Sequence, residues 1–151
     1  MARILIIGYG STLRGDDAAG RIAADRLAEA LSADPSVEVL SLPQLTPEVV
    51  LAVAGAERVY FIDATGTGAP GTWTCQPLAP QANLSNPLGH HYHPAALLAF
   101  AHALYGAAPR AWILTVSAFS FACGETLTPA VDNAVAEIVA FLRETVFVEP
   151  R

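Results

Sequence analysis

Asp16 and Asp17 are adjacent carboxylates in the stretch Gly8-Tyr9-Gly10-Ser11-Thr12-Leu13-Arg14-Gly15-Asp16-Asp17-Ala18-Ala19-Gly20. A further carboxylate, Asp63, closes the run Arg58-Val59-Tyr60-Phe61-Ile62. Three of the four histidines fall within four residues, at His90, His91 and His93. Two carboxylates and an imidazole suit a borderline divalent metal such as nickel or zinc. The same set suits general acid-base work. A solvated loop cluster, or capping of the helix that follows, would account for the histidines without any chemistry. His102 falls among Ala and Leu inside that helix and reads as a packed or exposed residue.

Each of these groups stands where an element changes. Arg3-Ile4-Leu5-Ile6-Ile7 is an apolar, β-branched run of the kind buried on both faces of a parallel sheet. From Arg21 to Leu27 the apolar residues recur at helical spacing. The glycine-rich stretch between them is therefore a strand-loop-helix corner with two acids at the helix start. One of the two, by preference Asp16, caps the helix and complements its dipole. That leaves Asp17 to face the mouth of the sheet, where open parallel sheets bind their ligands.

The same reading gives strands at Val37–Leu42, Arg58–Ile62 and Trp112–Ser117, and a short edge strand at Thr72–Cys75. Helices are expected after Thr46-Pro47 as far as Ala54, over Ala95–Tyr105, and from Pro129 to about Thr145. Thr46 and Thr128 each precede a proline and read as N-caps. The longest irregular segment is Gln76–Gly89, and a second loop covers Ala118–Thr126. Alternating strands and helices predict one α/β domain over residues 1–151, a three-layer α/β/α sandwich around a mostly parallel sheet.

The pattern argues against several chemistries. Gly8-Tyr9-Gly10 begins a dinucleotide fingerprint, but its third glycine position holds Leu13, and no acid ends the second strand. Asp16 and Asp17 also place negative charge where a phosphate would have to sit. There is no Gly-Lys-Ser/Thr phosphate loop, no H-E-x-x-H, and no G-x-S-x-G elbow.

Composition narrows the class further. The 151 residues are 53% hydrophobic and only 15% charged, the balance of a folded domain rather than a disordered chain. A chain of this length buries roughly 70% of its unfolded surface. The net charge of −6 with eight Lys+Arg argues against nucleic acid as a partner. Apolar runs are broken well short of a membrane span. Met1-Ala2-Arg3 leads straight into a strand, so the expected location is cytoplasmic. Cys75 and Cys123 make no disulfide framework and lack paired-ligand spacing.

In order along the chain, G-Y-G-S-T-L-R-G-D-D-A-A-G, F-I-D-A, H-H-Y-H-P-A-A-L-L, L-T-V and G-E-T-L-T-P resemble the [NiFe]-hydrogenase maturation endopeptidases. The likeness covers nearly the whole chain. It implies an endopeptidase that removes a short C-terminal extension from a hydrogenase large-subunit precursor once nickel is installed. It implies that Asp17, Asp63 and one histidine touch the metal and serve catalysis. Counting back from the apolar helix places that histidine at His90, with His91 and His93 as alternates. Nickel would be supplied by the substrate, and the protein would be a monomer.

Two residues depart from the family pattern. Ser11 stands where an asparagine is usual, and Ala18 where a glycine is usual. Ser11 offers one side-chain donor where an amide offers two, and Ala18 disfavours positive φ. Two alternative functions use the same residues: a non-catalytic module that recognises the nickel site of the large subunit, and a stand-alone metallohydrolase with a resident metal. A nucleotide-binding protein ranks behind both.

Overall fold

Ile4, Leu5, Ile6 and Ile7 are each at most 3% exposed, as a strand covered on both faces requires. They open β1 (Ile4–Tyr9) in a computed structural model that describes residues 3–10, 15–82, 92–118 and 127–148. A 3-10 turn (Gly15–Ala18) leads into α1 (Ala19–Ala30). Next come β2 (Val37–Leu42), a 3-10 turn (Pro47–Val49) and the short α2 (Val50–Ala54). They are followed by β3 (Arg58–Thr65), β4 (Trp73–Pro77), α3 (Pro94–Tyr105), β5 (Arg110–Ser117) and α4 (Pro129–Thr145).

The strands form one five-stranded sheet in the order β2-β1-β3-β5-β4. All pairs are parallel except β4 against β5. The connection from β3 to β4 carries no helix, so β4 returns antiparallel and takes the edge, where its strand is only half covered. Two apolar clusters lie on opposite faces. Leu27, Ile62, Leu114, Val135, Ile138 and Leu142 belong to the cluster under α1 and α4. Leu5, Phe61, Val53, Leu97 and Ala101 belong to the one under α2 and α3. The predicted α/β/α sandwich is the observed fold.

Helix ends differ from the sequence reading in instructive ways. α1 begins two residues earlier than the periodicity indicated, behind a 3-10 turn, and its N-cap Ala18 makes no side-chain cap. The side chain of Asp16, the expected cap, lies outside the described residues. Neither Thr46 nor Thr128 caps its helix through its side chain. The Thr46 hydroxyl donates instead to Glu48 Oε2 at 2.7 Å, and the following proline supplies the preset φ that starts each helix. Cys75 is a free, half-buried thiol, and Cys123 lies outside the described residues.

One buried charge secures the end of α4. Arg58 is 4% exposed, and its guanidinium donates to the carbonyls of Val146 and Val148 at 3.0 Å each and to the Tyr60 hydroxyl at 3.2 Å. A cation satisfies the orphan carbonyls at a helix C-terminus and suits the dipole there. Among the described residues no helix is long and apolar enough to cross a membrane.

Candidate functional site

The chain leaves β1 for β2 on one side and then crosses to β3 on the other, so the switch point of this sheet lies between β1 and β3. The ladder makes the crevice explicit. β1 and β3 pair from Ile4↔Arg58 to Gly8↔Ile62 and no further. β1 continues against β2 to Tyr9↔Leu42. β3 continues against β5 through Asp63↔Thr115 to Thr65↔Ser117. Tyr9 and Asp63 are therefore the residues at which the two central strands part. The sequence reading ended the third strand at Asp63; it runs two residues beyond, because β5 keeps pairing with it.

Glycines bring α1 into this fork. A Cβ on Gly20 would lie 2.3 Å from the Ile62 carbonyl oxygen and 2.7 Å from that of Tyr9. Only a residue without a side chain lets the first turn of α1 seat on both strand ends at once. Gly10 turns the chain away at φ +148, and its Cβ would lie 2.0 Å from the Asp17 carbonyl oxygen. The backbone of Asp17 is thus pressed against the end of β1. Ala18 follows it with φ −79 and is 1% exposed. This position requires no positive φ, so an alanine fits where the family pattern has glycine.

Asp17 and Asp63 share this crevice closely enough to interact. Burial raises the Asp63 carboxyl to about 6, and the Asp17 charge pushes in the same direction. The Ala64 N–H, donating to Asp63 Oδ1 at 2.8 Å, holds the rise back, as does Tyr9. Asp63 is an acid whose charge is costly in the free protein, near enough to Asp17 to feel its charge, at the mouth of a parallel sheet. Such a pair attracts a cation or moves a proton near neutral pH.

Tyr9 is the residue that sequence reasoning missed. Its ring packs against the α2–α3 cluster, and its hydroxyl is buried without a well-formed hydrogen bond. Burial first, and the Asp63 charge second, push the phenol well above its ordinary value. It therefore stays protonated. In the sequence it is simply the residue between two glycines. Only the register that sets β1 beside β3 brings it to Asp63.

The histidines separate. His93 is the N-cap of α3, its Nδ1 accepting the Ala95 N–H at 3.2 Å. Its Nε2 is the nitrogen left for other partners. α3 leads on to the start of β5, and its first turn accepts the Gln81 N–H at the Ala95 carbonyl, 3.0 Å away. His90 and His91 lie outside the described residues, as do Ser11 and Arg14 in the first loop. Among the described residues no three His, Cys, Asp or Glu side chains form a metal-holding group.

No protein-family model and no curated protein matches the sequence. Solved structures do match in fold. The hydrogenase 2 maturation peptidase of a thaumarchaeon superposes with a TM-score of 0.72 at 24% identity, over 97% of this chain and 99% of that one. The [NiFe] hydrogenase maturation protease HycI of Thermococcus kodakarensis gives 0.73 at 22% identity, over 97% and 94%. The hydrogenase maturating endopeptidase HybD of E. coli gives 0.65 at 24% identity, over 95% and 93%. The chain thus has, over nearly its whole length, the fold of hydrogenase maturation proteases.

Proposed function

We propose that this chain is a hydrolase, an endopeptidase that removes the C-terminal extension of a nickel-loaded [NiFe]-hydrogenase large-subunit precursor. The observation that carries the reading is the Asp17–Asp63 pair at the β1/β3 fork. It is supported by the motif likeness and by nearly full-length structural likeness to proteins named for this maturation step.

The donor chemistry fits. Two carboxylate oxygens and the imidazole of His90 are a donor set that a borderline divalent ion such as nickel accepts. His91 and His93 remain alternates for that position. The ion arrives as part of the substrate. An incoming cation favours the charged form of Asp63, whose ionisation is penalised in the free protein. Docking thus offsets a penalty built into the empty crevice. The scissile peptide is brought to the same carboxylates, one of which can take a proton from the attacking water. Hydrolysis places the water oxygen on the acyl carbon and a proton on the departing amide nitrogen.

Intact mass of a matched large-subunit precursor, nickel-loaded and nickel-free, tests this. Loss of a C-terminal fragment from the loaded form alone is the expected result. Asp17→Asn should abolish that loss while leaving the fold intact by circular dichroism. Binding without any change in mass would favour the recognition module. Metal retained by the purified protein alone would favour a stand-alone metallohydrolase.

A further inference from the structure

Buried hydroxyls in native proteins are almost always hydrogen-bonded, because leaving one unpaired is costly. The Tyr9 hydroxyl breaks this rule at the very fork where β1 and β3 separate. A phenylalanine would fill the same space without the unpaired group. An uncompensated polar atom kept beside a site calls for a partner that the resting state does not supply.

Asp63 is the acceptor within reach. Its Oδ1 takes the Ala64 N–H at 2.8 Å, and a carboxylate has lone pairs for further donors. The hydroxyl lies near enough to the carboxyl for hydrogen bonding to raise the phenol and lower the acid, yet no bond of full length and angle joins them in the free protein. Carboxylates that bind cations are commonly held by outer hydrogen bonds that fix their orientation.

We propose that Tyr9 is a positioning residue whose hydroxyl donates to Asp63 in the docked complex and fixes the carboxylate on the incoming metal-loaded precursor. This rests on the function proposed above. Tyr9 touches neither the metal nor the scissile bond; it acts through Asp63. The bond forms as the carboxylate turns toward the cation, so an unsatisfied donor in the free protein becomes satisfied on binding.

Tyr9→Phe separates this role from a structural one. Its Tm should equal or exceed that of wild type by a few degrees, since a buried unpaired hydroxyl is removed. Its affinity for the nickel-loaded precursor should fall by tenfold or more, the size of a hydrogen bond to a charged group. In an Asp63→Asn background the same substitution should change that affinity less than about twofold, because the charge it serves is gone. A lower Tm for Tyr9→Phe would mean the hydroxyl is already bonded at rest, and overturns the proposal. So does unchanged precursor affinity with wild-type cleavage, or an equal loss in both backgrounds. A wild-type chain that neither binds nor cleaves the precursor removes the proposed function, and this role with it.

Discussion

Gly8 and Gly20 lie against each other so closely that a Cβ on Gly8 would sit 2.0 Å from the Gly20 carbonyl oxygen. The contact is backbone on backbone, so no side-chain rotation can relieve an added methyl. It sets the depth at which α1 rests on the sheet and, through the preceding turn, the place of Asp17. Gly20→Ala meets the Ile62 carbonyl at 2.3 Å. The helix must then lift off the fork, at a cost of about 3 kcal/mol. Thermal unfolding of Gly20→Ala should show a Tm roughly 10 °C lower, with processing lost even where the variant stays folded. An unshifted Tm would show that α1 does not seat as closely as described.

Ala18 invites the opposite substitution. It departs from the family pattern, yet it sits in right-handed helical geometry at φ −79 and is 1% exposed. Restoring glycine therefore gains no backbone freedom that the site uses. Ala18→Gly loses a buried methyl and loosens the unfolded chain further, a destabilisation of about 1–2 kcal/mol. A urea titration should show that loss, with no rise in processing rate. A faster Ala18→Gly enzyme would mean the alanine restrains the loop.

The contrast between these positions shows what could be read from the chain. The apolar run at Ile4–Ile7 and the helical spacing from Arg21 to Leu27 carry β1 and the body of α1 on their face, because burial on both sides of a parallel strand leaves no polar alternation. Asp63 was legible as an acid following an apolar run, the usual mark of a strand end. Tyr9 was not, because its meaning depends on which residue stands beside it across the sheet, and register is a long-range property. The caps at Thr46 and Thr128 misled for a local reason. A threonine before Pro at N1 can start a helix through the proline ring alone, leaving the hydroxyl free for Glu48 in the first case.

His93 and His90 were indistinguishable by residue type, and the structure gives one of them a local task. His93 Nδ1 accepts the Ala95 N–H at the start of α3. Asparagine is a strong N-cap, so His93→Asn should retain both stability and processing, whereas His93→Ala should cost about 1 kcal/mol. His90→Ala should leave stability unchanged and stop processing. If His93→Asn stops processing while His90→Ala does not, the two assignments exchange.

Asp63 supplies a pH dependence whose sign follows from its burial. The carboxyl titrates near 6 in the folded protein, against an ordinary value of 3.8. The folded state therefore holds its proton more tightly than the unfolded state does. Stability from this group is fully present below about pH 4 and is lost as pH rises through about 6. At about 1.4 kcal/mol per pH unit the loss approaches 3 kcal/mol at neutral pH. Asp63→Asn removes the charge, and its side-chain oxygen can still accept the Ala64 N–H. The variant should therefore be more stable than wild type at pH 7.5, by up to about 3 kcal/mol in urea. The two unfolding midpoints should converge as pH falls from 6 to 4, while processing is absent at every pH. A variant less stable than wild type at pH 7.5 would show that the Asp63 charge is welcome in the free protein, leaving docking of a cation no penalty to relieve.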